Sequence, residues 1–196
     1  CTLSFKGRAC TRFQTGSASS SVLYFPGCSD DLRLPFALSD EIGCRLYIPS
    51  SGRDYEYPES MMDALAIWKG MLREGENPDC TCIIGYLRGC SVALSLVLWC
   101  RDHGLPMPSS VFLVSPLSDS EESAESGAYF RGADYDDPYA HVRYAIPLGL
   151  PYMGVCGFGE DICGIENLMI GCSQGIQIGI LDGSSESESQ IKSISK

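Results

Sequence analysis

Apolar residues fall along the chain in short uninterrupted runs separated by Gly, Pro and Ser, and between several of these runs lie longer stretches with a helical period. Val22-Leu23-Tyr24-Phe25, Cys44 to Ile48, Cys80 to Ile84, Val111 to Ser115, Tyr152 to Phe158 and Gly175 to Leu181 each read as a strand buried on both faces. Ahead of them, Leu3 and Phe5, then Thr11 and Phe13, alternate around Gly7-Arg8, which predicts an antiparallel hairpin at a sheet edge. Asp31 to Ile42 predicts a short helix, and Pro58 opens a longer one. Met61, Leu65, Trp68 and Leu72 recur there at helical spacing, a stripe suited to covering a sheet, so Trp68 is assigned to the core. Arg88 to His103 is apolar almost all round and closes at Gly104, as a helix under the centre of a doubly covered sheet should.

Strands alternating with helices predict parallel β-α-β units, and the sharpest of them runs from Cys80 to Asp119. Its strand passes through Gly85-Tyr86-Leu87-Arg88-Gly89 straight into the apolar helix. Two glycines flanking three residues at such a junction form the frame of a nucleophile elbow, G-x-S-x-G, in which small residues let strand and helix approach around a strained centre. Leu87 stands at that centre in place of a serine.

A chain of 196 residues, 44% hydrophobic and 20% charged, can build one substantial core. The expected organisation is one domain over residues 1–183 and a disordered Ser/Glu-rich tail over 184–196. The 14 basic against 25 acidic residues give a net charge of −11, which argues against nucleic acid or an anionic membrane as a main partner. No run reaches transmembrane length. The 11 cysteines are many, but Cys80, Cys82, Cys100 and Cys156 sit inside apolar runs, which reads as reduced, buried thiols in a cytoplasmic protein. Neither Cys80-Thr81-Cys82 nor Cys100 with His103 has a matching second pair of ligands, so no metal site is expected.

Beyond its elbow frame, the unit continues with Arg101-Asp102-His103-Gly104-Leu105-Pro106-Met107-Pro108 and ends with Ser115-Pro116-Leu117-Ser118-Asp119. The stretch resembles the α/β-hydrolases of the hormone-sensitive-lipase-like esterase family (the fold-3 type), which typically read GDSAGG, a helix, R-D-x-G-L-P-x-P and a strand ending S-P-W-x-D. The resemblance implies a three-layer α/β-hydrolase sandwich: about eight mostly parallel strands, helices on both faces, and here a reduced cap and N-terminal region. It implies carboxylic-ester hydrolysis of small acyl substrates, with no cofactor. Tyr47 to Pro58 resembles a lengthened copy of the family's Y-R-L-A-P-E-H-x-Y-P. Where the family runs from V-x-Y-F into H-G-G-G, half of its oxyanion hole, this chain has Pro26-Gly27-Cys28-Ser29; the implied hole is Gly27, Cys28 and the backbone of Arg88. Asp161 falls on the triad acid of G-S-D-E, and Glu186 on or near the place of the basic histidine.

A serine esterase needs an oxygen nucleophile, a base and an orienting acid. Leu87, Asp161 and Glu186 supply only the last, because leucine cannot attack a carbonyl and an ordinary glutamate is too weak a base near neutral pH. Loss of a triad member costs about 10⁴- to 10⁶-fold in rate. The expectation is therefore a catalytically degenerate hydrolase. Two alternatives stand beside it. The first is an active esterase with a displaced nucleophile, for which Cys90 and Ser91 are the nearest candidates and His103 and His141 the only imidazoles. The second is a small-molecule-binding module for an ester or carboxylate ligand, in which the Arg88 side chain meets an anion instead of pairing with a carboxylate of the chain.

Overall fold

A computed structural model of the chain describes residues 1–14, 17–27, 32–50, 56–116, 137–140, 149–157 and 178–182. Among the described residues eight strands form one sheet in the order β1-β2-β4-β3-β5-β6-β7-β8. Strands β1 (Thr2–Phe5) and β2 (Arg8–Phe13) make the expected hairpin, and its turn residues Lys6 and Gly7 both adopt positive φ, 50° and 81°. A two-residue turn of this hand matches the twist of the strands it joins. Strand β2 pairs antiparallel with β4 (Arg45–Pro49), and from there on every pairing is parallel: β3 (Ser21–Phe25), β5 (Thr81–Tyr86), β6 (Ser110–Val114), β7 (Tyr152–Gly157) and β8 (Ile178–Asp182).

Alternation along the buried strands sorts their side chains into two apolar layers. Leu23, Phe25, Ile83, Val111 and Leu113 pack with α2 (Glu59–Arg73) and α3 (Gly89–Asp102), whereas Val22, Tyr24, Leu46, Ile84 and Val114 pack with Leu34 and Leu38 of α1 (Arg33–Ile42). The result is the expected α/β sandwich with helices on both faces. Met61, Leu65 and Trp68 of the predicted stripe are buried, and Trp68 donates its indole N–H to the Pro106 carbonyl at 3.0 Å. Helix α2 lies so close to the hairpin that a Cβ on Gly70 would come within 2.2 Å of the Phe5 ring.

The boundaries differ from expectation in a few instructive places. Cys80 belongs to a 3₁₀ turn, Pro78–Cys80, capped by the Asn77 side chain accepting the Asp79 N–H at 3.1 Å, so β5 starts at Thr81. Pro58 precedes the helix it was expected to open. Ser115 has left the strand, with φ 49°. Of the last expected strand, residues 178–182 are described; the tail from 184 lies outside the described residues. Cys1, Cys10, Cys44, Cys80, Cys82, Cys90 and Cys100 are free thiols, and burial pushes Cys10, Cys82 and Cys100 up to about 12. No described helix is long and apolar enough to cross a membrane.

At the amino-terminal edge of the parallel strands the core contains a buried carboxylate. Glu76, 8% exposed, lies between α2 and β5 and accepts hydrogen bonds from the Ser21 hydroxyl, from the Tyr47 phenol at 2.7 Å and from one terminal nitrogen of Arg45 at 2.8 Å, while Arg45 Nε forms an ion pair with it at 2.8 Å. Burial works to raise its pKa, but the donors of Arg45, Ser21 and Tyr47 outweigh it and hold the carboxyl below its ordinary value. The Tyr47 phenol, buried and facing Glu76, is pushed up to about 12.

Because the folded carboxyl is the stronger acid, this network contributes fully above the ordinary carboxylate range and is lost as pH falls through the lowered folded value. Glu76→Gln leaves the half-buried Arg45 against a neutral amide and should cost about 2 kcal/mol in urea denaturation at about pH 7. The gap between wild type and variant should close as the pH is lowered through the acid range, and a gap independent of pH would remove the carboxylate from this role.

Candidate functional site

Strand β3 leads into β4 on one side of it, while β5 lies on its other side, so the chain reverses its direction of travel across the sheet between β3 and β5. Open parallel sheets bind their ligands beyond the carboxyl ends of the strands at such a point. Here that place is bounded by Pro26-Gly27 after β3 and by Leu87-Arg88 after β5.

Residues 85–89 make a tight strand-to-helix bend. Leu87 sits at its apex with φ 49°, a left-handed conformation that costs an L-residue about 1–2 kcal/mol. The Leu87 N–H donates to the Val114 carbonyl at 3.0 Å, and the Leu87 carbonyl accepts from Cys90 N at 3.0 Å, so the apex is fixed from both sides. The flanking glycines are required by contact. A Cβ on Gly85 would lie 2.5 Å from Cys90 Cα, and one on Gly89 would lie 2.1 Å from the Phe25 carbonyl oxygen. Across the crevice, a Cβ on Gly27 would meet Leu87 Cβ and Cδ1 at 3.0 Å and Tyr86 Cδ1 at 3.2 Å. The leucine side chain therefore lies against Gly27, and the contact between the ends of β3 and β5 is apolar.

The expected site residues divide into those the structure brings together and those it leaves undescribed. Gly27, Leu87 and Arg88 converge at the crevice, while Cys28, Asp161, Glu186 and His141 lie outside the described residues. Cys90 is 2% exposed, its thiol donates to the Val114 carbonyl at 3.5 Å, and burial pushes its pKa strongly upward, so it is a neutral thiol in the core. Ser91 lies inside α3, beyond the bend. His103 follows the opposite end of α3, a helix length of about 20 Å from Arg88. Its ring stacks on Trp99 with centroids 4.0 Å apart, and its Nδ1 is 2.9 Å from the Trp99 carbonyl. Among the described residues no imidazole approaches Leu87, and no group of three or more His, Cys, Asp or Glu could hold a metal ion.

Two polar groups stand at the bend: Arg88, whose side chain the sequence already offered to an anion, and Ser115, which the sequence reading did not assign to the site. The Nε of Arg88 is buried without a hydrogen-bond partner, and no ion pair forms between Arg88 and a carboxylate of the described residues. Ser115 is 4% exposed, its hydroxyl also has no partner among the described residues, and its φ of 49° equals that of Leu87. Because Tyr86 is in register with Val114, these two left-handed residues end neighbouring strands side by side. The only sequence signal for Ser115 is the Ser-Pro pair that closes the strand.

No protein-family model and no curated protein matches the chain. Solved structures do. The EstE7 homologue of hormone-sensitive lipase from a metagenome library superposes with a TM-score of 0.84 at 20% identity, covering 100% of this chain and 83% of that one. A hormone-sensitive lipase from a metagenome library gives 0.80 at 21% identity, covering 91% and 73%. An esterase/lipase from an uncultured bacterium gives 0.78 at 22%, covering 92% and 72%. The likeness establishes the α/β-hydrolase fold for this chain.

The contacts around the bend rank its glycines. Gly89→Ala drives a methyl into the β3 backbone, which cannot yield, and should cost about 3 kcal/mol or more in thermal or urea unfolding. Gly27→Ala meets mainly a leucine side chain and should cost about 1 kcal/mol, a cost that shrinks when Leu87 is also made Ala. Equal costs at the two glycines would contradict the packing described.

Proposed function

We propose that the chain is a carboxylesterase-like α/β-hydrolase whose catalytic centre is degenerate, with Leu87 at the nucleophile's place, Asp161 at the acid's and Glu186 at or near the base's. The domain ends near residue 183 in this reading, and 184–196 form a tail outside it. The observation that carries it is the aliphatic side chain at a left-handed strand-to-helix apex, packed on Gly27 where an oxyanion would otherwise be received. A leucine there removes the attacking oxygen and also fills space next to the developing charge.

The displaced-nucleophile alternative draws little support from the bend. Cys90, buried and hydrogen-bonded to a carbonyl, is held as the unreactive thiol. The solved structures similar in fold are described as esterases and lipases, which supports an ester or its acid product as the chemistry this crevice descends from.

Hydrolysis of p-nitrophenyl butyrate by the wild-type chain is expected at the buffer rate. Leu87→Ser should stay within about tenfold of it, since a serine without an imidazole is not activated. Wild-type turnover well above buffer that disappears in Cys90→Ala or Ser91→Ala would replace this reading with the displaced-nucleophile one.

A further inference from the structure

The hairpin leaves one side of the sheet open. Strand β1 comes first in the strand order, so its outer side has no neighbour among the described strands. Which of its backbone groups face outward follows from the turn. Phe5 and Arg8 flank the two-residue turn as a pair, and Cys1 and Arg12 exchange both of their main-chain hydrogen bonds, each at 2.7 Å. Cys1, Leu3 and Phe5 therefore spend their N–H and C=O groups on β2, while Thr2 and Ser4 point theirs away from the sheet. Both outward residues are exposed. Proteins commonly block such an edge with a proline, a bulge or a charge within the strand. Thr2-Leu3-Ser4-Phe5 has none of these, and its register runs from Thr2↔Thr11 to Phe5↔Arg8 without a break. Leu3, between the two outward residues, is only half-buried although it packs on the same core as Phe5.

We propose that β1 is an interface between two copies of the chain, which pair β1 with β1 antiparallel about a two-fold axis at Leu3. This axis sets Thr2 opposite Ser4 of the second copy and joins every outward N–H and C=O group of both residues in hydrogen bonds. An axis at Thr2 or at Ser4 would satisfy that residue alone. Leu3 then faces Leu3 of the second copy in a non-hydrogen-bonded pair, where side chains approach most closely, and the Thr2 and Ser4 hydroxyls face each other on the opposite side of the sheet. Charge favours the same arrangement. The chain carries −11, but residues 1–14 hold Lys6, Arg8 and Arg12 and no acidic side chain, so two copies meet here with little of their acidic surface between them. Helix α2 flanks the hairpin, with the Phe5 ring against Gly70, and carries Glu59 in its first turn and Arg73 in its last. A two-fold axis through the sheet makes the two α2 helices antiparallel, so the Glu59 end of each lies toward the Arg73 end of the other. A foreign acidic strand fits less well, because Arg8 is already paired with Asp63 at 2.9 Å and leaves it little free charge. This interface is independent of the reading of the catalytic centre.

Sedimentation equilibrium of the whole chain should show a reversible monomer–dimer equilibrium with a Kd of about 10–100 μM, weak because a strand of four residues makes a small interface. Ser4→Pro removes an outward N–H that β2 does not use, and Leu3→Lys sets two charges face to face. Each should weaken dimerisation at least about tenfold. The register has its own readout, which does not depend on how either variant folds. In a parent carrying Cys1→Ser and Cys80→Ser, which removes the exposed thiols of the described residues, Leu3→Cys should oxidise to disulfide-linked dimer at least about fivefold more than the parent, since the Cα atoms of such a pair lie about 4.5 Å apart. Ser4→Cys, which faces Thr2 of the second copy, should stay at the level of the parent. A chain that remains monomeric at about 1 mM overturns the proposal, as does a dimer that Ser4→Pro and Leu3→Lys both leave intact. Cross-linking of Ser4→Cys equal to that of Leu3→Cys overturns the axis at Leu3. A synthetic peptide of alternating Glu and Val that binds wild type more tightly than the chain binds itself, and fails to bind Ser4→Pro, would give the edge to a foreign strand and overturn the second copy as its occupant.

Discussion

The fold depends on three segments of backbone meeting with almost nothing between them. The end of β3, the β5–α3 bend and the first turn of α3 approach so closely that Gly85 and Gly89 have no room for a methyl group. Glycine in a strand or at a helix start normally costs conformational entropy. Here the cost is offset by the burial it permits, since α3 can lie directly on the centre of the sheet with Val92, Leu96 and Val97 fully covered. Once helix and strand are that close, the path between them has to turn sharply, and Leu87 is carried into a left-handed conformation. A hydrolase uses this constraint to lift a nucleophile clear of the sheet. In this chain the same constraint lifts a leucine.

The strand-to-helix bend at β5 thus presents a leucine at its apex, at the point where the sheet order reverses beside β3. The position of that point follows from strand order alone, because the chain leaves β3 towards β4 and returns on the other side as β5. A few side chains set its character: the leucine against Gly27, Arg88 with its Nε unpartnered among the described residues, and the buried Ser115 hydroxyl. Cys90, the nearest other candidate for a reactive group, is turned into the core, where it serves as a small apolar residue that satisfies the Val114 carbonyl.

The strands, the three helices and the bend could be read from sequence because each rests on a local cause. Continuous apolar runs mark doubly buried strands, and the spacing of Gly85 and Gly89 marks a close approach whatever lies between them. What could not be read is long-range. Ser115 looks like the last residue of a strand until β5 sets the register that places it beside Leu87. Glu76 sits in a polar stretch that reads as an ordinary loop, and its partners Ser21, Arg45 and Tyr47 come from two strands far away in sequence. The unpartnered Nε of Arg88 is equally hidden, since an acidic chain offers many carboxylates and only the fold decides that none of those described pairs with it.

The Glu76 cluster and the glycine bend stand at opposite ends of the same parallel strands, and they hold those ends by different physics. The amino ends are laced by charge, which protons and salt can loosen. The carboxyl ends are fastened by steric intimacy, which neither affects and a single added methyl group can undo. A sheet fastened in this way can come undone at one end while the other stays closed, so the crevice end is insulated from the solution conditions that govern the rest.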